Sequence, residues 1–274
     1  MRRVSRHRYA CPLRWGDLDA QGHVNNVAYL DYLQEARVDF LLSGPAALHG
    51  LLETGVLVAS HQVEYLQPVR FGPRPVTVDL WVDAVGGSRF VIGYELHTDA
   101  LVARARTSAT PYDLASGALR RLTTAEREGL VAALEPATPL RPLAKDPVGP
   151  RAHTAPLQVR WSDLDSYGHV NNIRYFGYLQ EARIALMTDT LSWRSDEVWS
   201  VVRQDLEYLR PLDFRLEPYA VRTSVLAVGT RSVTLAVQIE DPGTGTAYAT
   251  GRTVLVGSRP VSEEERAALA PYGG

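Results

Sequence analysis

The feature that most constrains this chain is a long internal repeat. Residues 13–37 read LRWGDLDAQGHVNNVAYLDYLQEAR and residues 159–183 read VRWSDLDSYGHVNNIRYFGYLQEAR, so 17 of 25 positions are identical at a constant offset of 146. The likeness continues more thinly. Glu64-Tyr65-Leu66-Gln67-Pro68 pairs with Glu207-Tyr208-Leu209-Arg210-Pro211, and Val85-Gly86 with Val228-Gly229, both at 143. Arg106-Thr107 pairs with Arg252-Thr253, back at 146. Solenoid repeats recur every ~20–50 residues, far shorter than this. Each copy is therefore a whole domain of ordinary size, and the second has a shorter loop after its first helix. Six of the 17 prolines fall between Pro136 and Pro156. Proline fixes φ and lacks a backbone donor, which suits an extended connection. The division expected is a first domain at 1–135, a linker at 136–155 and a second domain at 156–274.

Within each copy the apolar pattern changes period. A short extended piece around Tyr9–Trp15 leads into a turn. Asn25 or Asn26 is a good N-cap for a helix running to about Leu42, where Gly44-Pro45 stops it. Val27, Tyr29, Leu30, Tyr32, Leu33, Ala36, Val38, Phe40 and Leu41 cover most of that helix, so it is expected to be buried. Its counterpart carries Ile173, Tyr175, Phe176, Tyr178, Leu179, Ala182, Ile184 and Leu186. Alternation then sets in at Val76, Val78, Leu80 and Val82, at Phe90, Ile92, Tyr94 and Leu96, and at Val233, Leu235, Val237 and Ile239. Period two with tight glycine turns predicts antiparallel hairpins with one buried face. Capping boxes at Thr123-x-x-Glu126 and Ser262-x-x-Glu265 open a closing helix in each copy. The fold class expected is α+β: in each copy about four antiparallel strands curve round one long helix, because both have apolar surface to cover.

The block with most chemical content is Asp-Leu-Asp-x-x-Gly-His-Val-Asn-Asn, Asp17–Asn26 and Asp163–Asn172, set between a strand end and a helix start. A helix N-terminus presents unpaired amides and partial positive charge, a place for a developing oxyanion. A carboxylate in the preceding loop can face the same point and act as general base or nucleophile. Gly22 and Gly168 permit φ > 0 or close backbone approach. Blander roles exist for each residue. Asp17 and Asp163 read first as braces of the turn, Asn25 and Asn171 as caps, and His23 and His169 as orienting hydrogen-bond partners. For Asp19 and Asp165 the residue pattern leaves bracing and catalysis equally open. Glu35 and Arg37, two apart on a helix, do not face each other. Asp-x-x-x-His offers too few ligands for zinc.

Charge and composition narrow the partners. The chain has 29 basic and 31 acidic residues and a net charge of −2, unlike a protein that coats nucleic acid. Its 45% hydrophobic content is that of a globular protein. Cys11 is the single cysteine, so no intrachain disulfide forms, and it reads as a small half-buried side chain rather than a catalytic thiol. No apolar run approaches the ~20 residues that span a bilayer, and Met1–Arg6 is charged with no apolar run behind it. No membrane partner is expected, and a cytoplasmic location follows by default.

The motif Trp-x-Asp-x-Asp-x-x-Gly-His-Val-Asn-Asn-x-x-Tyr, at Trp15–Tyr29 and Trp161–Tyr175, resembles that of hotdog-fold thioesterases of the 4-hydroxybenzoyl-CoA thioesterase type. The stretches Tyr65–Phe71 and Tyr208–Phe214 fit the same family. The resemblance implies a double hotdog, in which both halves of a usual pair sit in one chain as an intrachain pseudo-dimer. It leaves room for a larger homo-oligomer. It implies acyl-CoA thioester hydrolysis, no cofactor and no metal, with Asp19 and Asp165 as the catalytic carboxylates. The amides polarising the carbonyl would lie at Asn26, Val27, Asn172 and Ile173, with the sites between the paired halves. Acyl-acyl-carrier-protein (acyl-ACP) thioesterases of plant type share much of the motif. They differ in carrying Asn where this chain has Gln21 and Tyr167, and a further acidic residue where it has Pro68 and Pro211. An acyl-ACP thioesterase and a non-catalytic acyl-CoA-binding protein are the alternatives.

Overall fold

In the computed structural model, residues 6–190 and 199–273 are described. The chain divides into two compact units, Met1–Arg141 and Pro142–Gly274. The charged run Met1–Ser5 lies outside the described residues.

The first unit builds an antiparallel sheet from β1 (His7–Cys11), β2 (Val56–Tyr65), β3 (Val76–Val85), β4 (Phe90–His97) and β5 (Leu101–Asp113). Its order is β1-β3-β4-β5-β2. Helix α1 (Ala28–Ser43) lies against β1 and β3. It buries Tyr29, Leu30, Tyr32, Leu33, Ala36, Phe40 and Leu41, as its nearly all-round apolar sequence requires. Val76, Val78, Leu80 and Val82 are all fully buried on β3, while Thr77 and Asp79 between them are less so. A short helix α2 (Gly50–Thr54) follows α1, a two-residue β6 (Ala118–Leu119) pairs with β5, and α3 (Thr124–Ala132) closes the unit.

The second unit repeats the plan with β7 (His153–Leu157), α4 (Arg174–Thr190), β8 (Trp199–Tyr208), β9 (Tyr219–Val228), β10 (Ser232–Glu240), β11 (Ala247–Gly257) and α5 (Glu263–Leu269). Its order, β7-β9-β10-β11-β8, is the same order on the second set of strands. Helix α4 lies against β7 and β9. The closing helices begin with the two expected capping boxes. Thr123 Oγ1 accepts from the Glu126 amide and Ser262 Oγ from the Glu265 amide, both at 3.2 Å, and each glutamate carboxylate reaches back to the cap amide.

Two boundaries differ from the sequence reading. The N-cap position of α1 is Val27, so Asn25 and Asn26 belong to the turn before the helix. The first strand of the second unit begins at His153, inside the stretch read as linker, where β7 pairs with β9. Pro156 lies opposite Ala220 in that edge strand, where a missing donor is tolerated. The segment ahead of β7 has no regular element but is fastened. Asp83 accepts from the Ala137 amide at 2.8 Å and pairs with Arg106. Further on, Arg252 Nε donates to the Ala144 carbonyl at 2.8 Å, and the Gly149 amide to Ser224 Oγ at 2.9 Å.

A compensated exchange distinguishes the strands of the two units. Trp81 on β3 sits opposite Gly93 on β4, and a Cβ added to Gly93 would come within 2.5 Å of the indole. The same cross-strand position in the second unit holds Ser224 opposite Ala236. The large ring faces the residue with no side chain, and the small hydroxyl faces a methyl.

Candidate functional site

The repeated block forms a tight, braced turn in each unit. Trp15–Asp17 and Trp161–Asp163 make one 3-10 turn each. Asp17 is only 6% exposed. Its Oδ1 accepts from Arg14 Nε at 2.9 Å, and its Oδ2 accepts from the Arg14 amide at 3.0 Å and the Tyr32 hydroxyl at 2.7 Å. Burial pushes the Asp17 carboxyl up, but the Arg14 guanidinium, the Tyr32 hydroxyl and the Arg14 amide outweigh it and hold its pKa below the ordinary value. The opposite effect falls on Tyr32, whose pKa is raised by burial and by the carboxylate beside it. In the second unit Asp163 Oδ2 accepts from the Arg160 amide at 2.8 Å and the Tyr178 hydroxyl at 2.7 Å. The backbone carbonyls of Asp17 and Asp163 accept from the Asn25 and Asn171 amides at 2.7 and 2.8 Å. The first aspartate of each motif is thus consumed in holding the turn shut.

The second aspartate is held differently. Asp19 Oδ1 accepts from the amides of Gln21 at 2.9 Å and His23 at 3.1 Å, and Oδ2 takes no hydrogen bond among the described residues. Asp165 Oδ1 accepts from the Tyr167 amide at 2.9 Å. Both side chains are half-buried. A carboxylate fixed through one oxygen, with the other open, can take a proton or attack a carbonyl. The turn closes through Asp19 N to His23 O at 2.8 Å and Gly22 N to Asp19 O at 3.0 Å, and its counterpart likewise. Gly22 and Gly168 adopt φ of +74° and +81°, a backbone region that side chains disfavour. His23 therefore meets Asp19 through its backbone.

Asn25 Oδ1 accepts from the Val27 amide at 2.9 Å, and Asn171 Oδ1 from the Ile173 amide at 3.1 Å. The asparagine side chains thus do cap, but each serves the amide two residues on, just ahead of the helix. The Val27 and Ile173 amides, expected as oxyanion donors, each make that bond to an asparagine side chain. Tyr65 and Tyr208 reach from β2 and β8 to donate to the carbonyls of Asn26 and Asn172, at 3.0 and 2.7 Å.

The tyrosine roles escape sequence reasoning. Tyr32 and Tyr178 lie 15 residues from the aspartates they brace. The Tyr175 hydroxyl accepts from the Leu212 amide at 2.9 Å and pins the strand-like segment that returns beside the turn. Their shared i+3 spacing on α1 and α4 was the available signal, and it reads equally as core. Glu35 and Glu181 are exposed, whereas Arg37 and Arg183 are buried. Among the described residues no group of three His, Cys, Asp or Glu is placed to hold a metal ion. No described helix is long and apolar enough to cross a membrane.

The duplicated sheet-and-helix plan with this turn defines a hotdog-like thioesterase fold with two repeats. The sequence profile of the thioesterase-like superfamily matches residues 13–143 and again 159–262, and the chain belongs to that superfamily. An uncharacterised protein of Bacillus subtilis, YsmA, is 32% identical over 81 residues, which are 29% of this chain and 54% of that protein. The chain thus spans about half the length of that relative. Among solved structures, an acyl-ACP thioesterase from Bacteroides thetaiotaomicron is similar with a TM-score of 0.68 at 15% identity, covering 90% of this chain and 96% of that one. A 12:0-ACP thioesterase from Umbellularia californica is similar with a TM-score of 0.70 at 17% identity, covering 93% and 94%. At such identities the likeness concerns the fold.

Proposed function

We propose that this chain is an acyl-CoA thioesterase of the 4-hydroxybenzoyl-CoA thioesterase type, with one catalytic carboxylate per unit, Asp19 and Asp165. The observation that carries this reading is the division of labour between the two aspartates of each motif. One is braced and buried, and the other is tethered through a single oxygen beside the start of a helix. In this reading Asp19 accepts a proton from a water molecule whose oxygen attacks the thioester carbonyl carbon. The carbonyl oxygen takes up the electron pair and is stabilised by amides of the first helical turn. Collapse of that intermediate breaks the C–S bond, and the thiolate leaves as free CoA on taking a proton. The donors proposed are the amides of Asn26 and Val27 in the first unit and of Asn172 and Ile173 in the second; those of Val27 and Ile173 also meet the asparagine side chains. Direct attack by the carboxylate is the variant of the same site, with an anhydride in place of activated water. Each of the two units would carry one site.

Release of free thiol from a panel of acyl-CoA and acyl-ACP substrates tests the proposal. Asp19→Asn and Asp165→Asn should each remove one site's share of turnover. The double variant should fall by on the order of a hundredfold or more. A double variant that turns over at the wild-type rate would overturn the assignment. Preference for acyl-ACP would keep the chemistry and change the carrier, as the names of the two full-length structural neighbours suggest.

A further inference from the structure

The two turns carry opposite charges at their edge. In the first unit Leu18 pairs with Val24 and His23 pairs with Arg70, both antiparallel, and the Val24 amide donates to the Val69 carbonyl at 2.8 Å. Three backbone segments thus lie side by side, with Asp19, His23 and Arg70 opposite one another. Residues directly opposite in an antiparallel pair share a face, so these three side chains form one row. The second unit repeats the arrangement with Leu164 against Val170 and the Val170 amide on the Leu212 carbonyl at 2.9 Å. Its row is Asp165, His169 and Asp213, with His169 Nε2 4.0 Å from Asp213 Oδ1. The row reads carboxylate, imidazole, guanidinium in one unit and carboxylate, imidazole, carboxylate in the other.

Neither end residue is spent on the fold. Arg70 is exposed and has no ion pair among the described residues, whereas Arg14, Arg74 and Arg106 each pair with an aspartate. The Asp213 side chain is 69% exposed, and among the described residues its ionic neighbour is His169. An exposed cation two places from the reactive carboxylate attracts an anionic group on an incoming ligand, and an exposed carboxylate there repels it.

We propose that position 70 and its counterpart 213 determine ligand specificity, so that the first unit favours thioesters carrying an anionic group near this row and the second disfavours them. The inference rests on the thioesterase reading for the location of the ligand. The anion is supplied either by a carboxylate on the acyl chain or by the phosphates of the CoA arm.

Non-hydrolysable thioethers separate the two sources. Calorimetric titration at low ionic strength would use three: a neutral acyl chain on CoA, the same chain on pantetheine without phosphate, and a carboxylate-ended chain on pantetheine. For each anionic ligand that reaches the row, Arg70→Asp should weaken one binding event by on the order of tenfold, and Asp213→Arg should strengthen the other by a similar factor. The uncharged pantetheine ligand should respond to neither change. Response of the acidic chain identifies the acyl carboxylate as the anion, and response of the neutral CoA ligand identifies the phosphates. If neither variant alters an anionic ligand more than the uncharged one, the inference is overturned. Both side chains are exposed, so the variants should fold, which thermal unfolding checks. Absence of turnover with every thioester would overturn the catalytic reading alone, since binding is measured without it.

Discussion

Replacing Tyr32 by Phe isolates the brace on the first aspartate. The hydroxyl donates at 2.7 Å to Oδ2 of a carboxylate that is 6% exposed, from a ring that is itself 1% exposed. Hydrogen bonds to charged groups contribute about 1.5–3 kcal/mol net, and the carboxylate keeps its Arg14 contacts, so a loss of about 2 kcal/mol is expected. Unfolding entropy near 2.1 cal/mol/K per residue, over a unit of Met1–Arg141, gives about 0.3 kcal/mol/K. Tm of the first unit should therefore fall by about 7 °C, with urea unfolding giving the free energy independently. The sign of the pH dependence follows from the lowered Asp17 pKa. A carboxyl with a depressed folded pKa contributes stability above its unfolded value, 3.8, and loses it as pH falls through the folded value. The Tyr32→Phe penalty should thus be constant from neutral pH to about pH 4 and shrink below. At neutral pH, Tyr178→Phe should lower the stability of the second unit by about as much, about 2 kcal/mol, since its hydroxyl donates to Asp163 Oδ2 at 2.7 Å. Thiol release should stay within a few-fold of wild type. A variant of full stability that has lost activity would refute the reasoning, because Asp17 would then belong to the chemistry.

Two further outcomes follow from packing and burial. Gly93→Ala drives a methyl to within 2.5 Å of the Trp81 ring and should destabilise by about 1–3 kcal/mol in urea unfolding, while Gly93→Ala with Trp81→Ser should recover part of that loss. Cys11 is buried and its thiol is pushed up to about 11, first by desolvation, so a thiol reagent at pH 7.5 should label it only after denaturant is added.

Much of the fold is legible in the sequence because two independent periodicities agree in both copies. The alternation at Val76–Val82 and Val233–Ile239, the stop at Gly44-Pro45 and the capping boxes at Thr123 and Ser262 are local signals, and local hydrogen bonding satisfies them. The start of α1 is misread because Asn25 has a good capping side chain but spends it on the Val27 amide, inside a turn already closed by Asp17. Helix α2 carries only five residues and no periodicity to read. At the candidate site, the motif isolates the right segment but leaves the roles of its aspartates open. What distinguishes Asp17 from Asp19 is a tyrosine on the helix and an arginine before the turn, contacts that sequence spacing does not announce. The charge difference between Arg70 and Asp213 is visible in the alignment of the copies, yet its place beside the histidine depends on a backbone pairing between distant segments.

The exchange of Trp81 and Gly93 for Ser224 and Ala236 bears on how a duplicated chain can change after duplication. Copying β4 of one unit into the other would set a methyl against an indole, or a bare glycine against a serine with empty space between them. Copying the β3–β4 hairpin whole would carry both halves of the fit. Gene conversion that reaches either of these strands would therefore be tolerated best when it carries both. The turn-and-helix block, whose turn is closed largely by bonds within itself, keeps 17 of its 25 positions identical. At this position the strands have diverged as a pair.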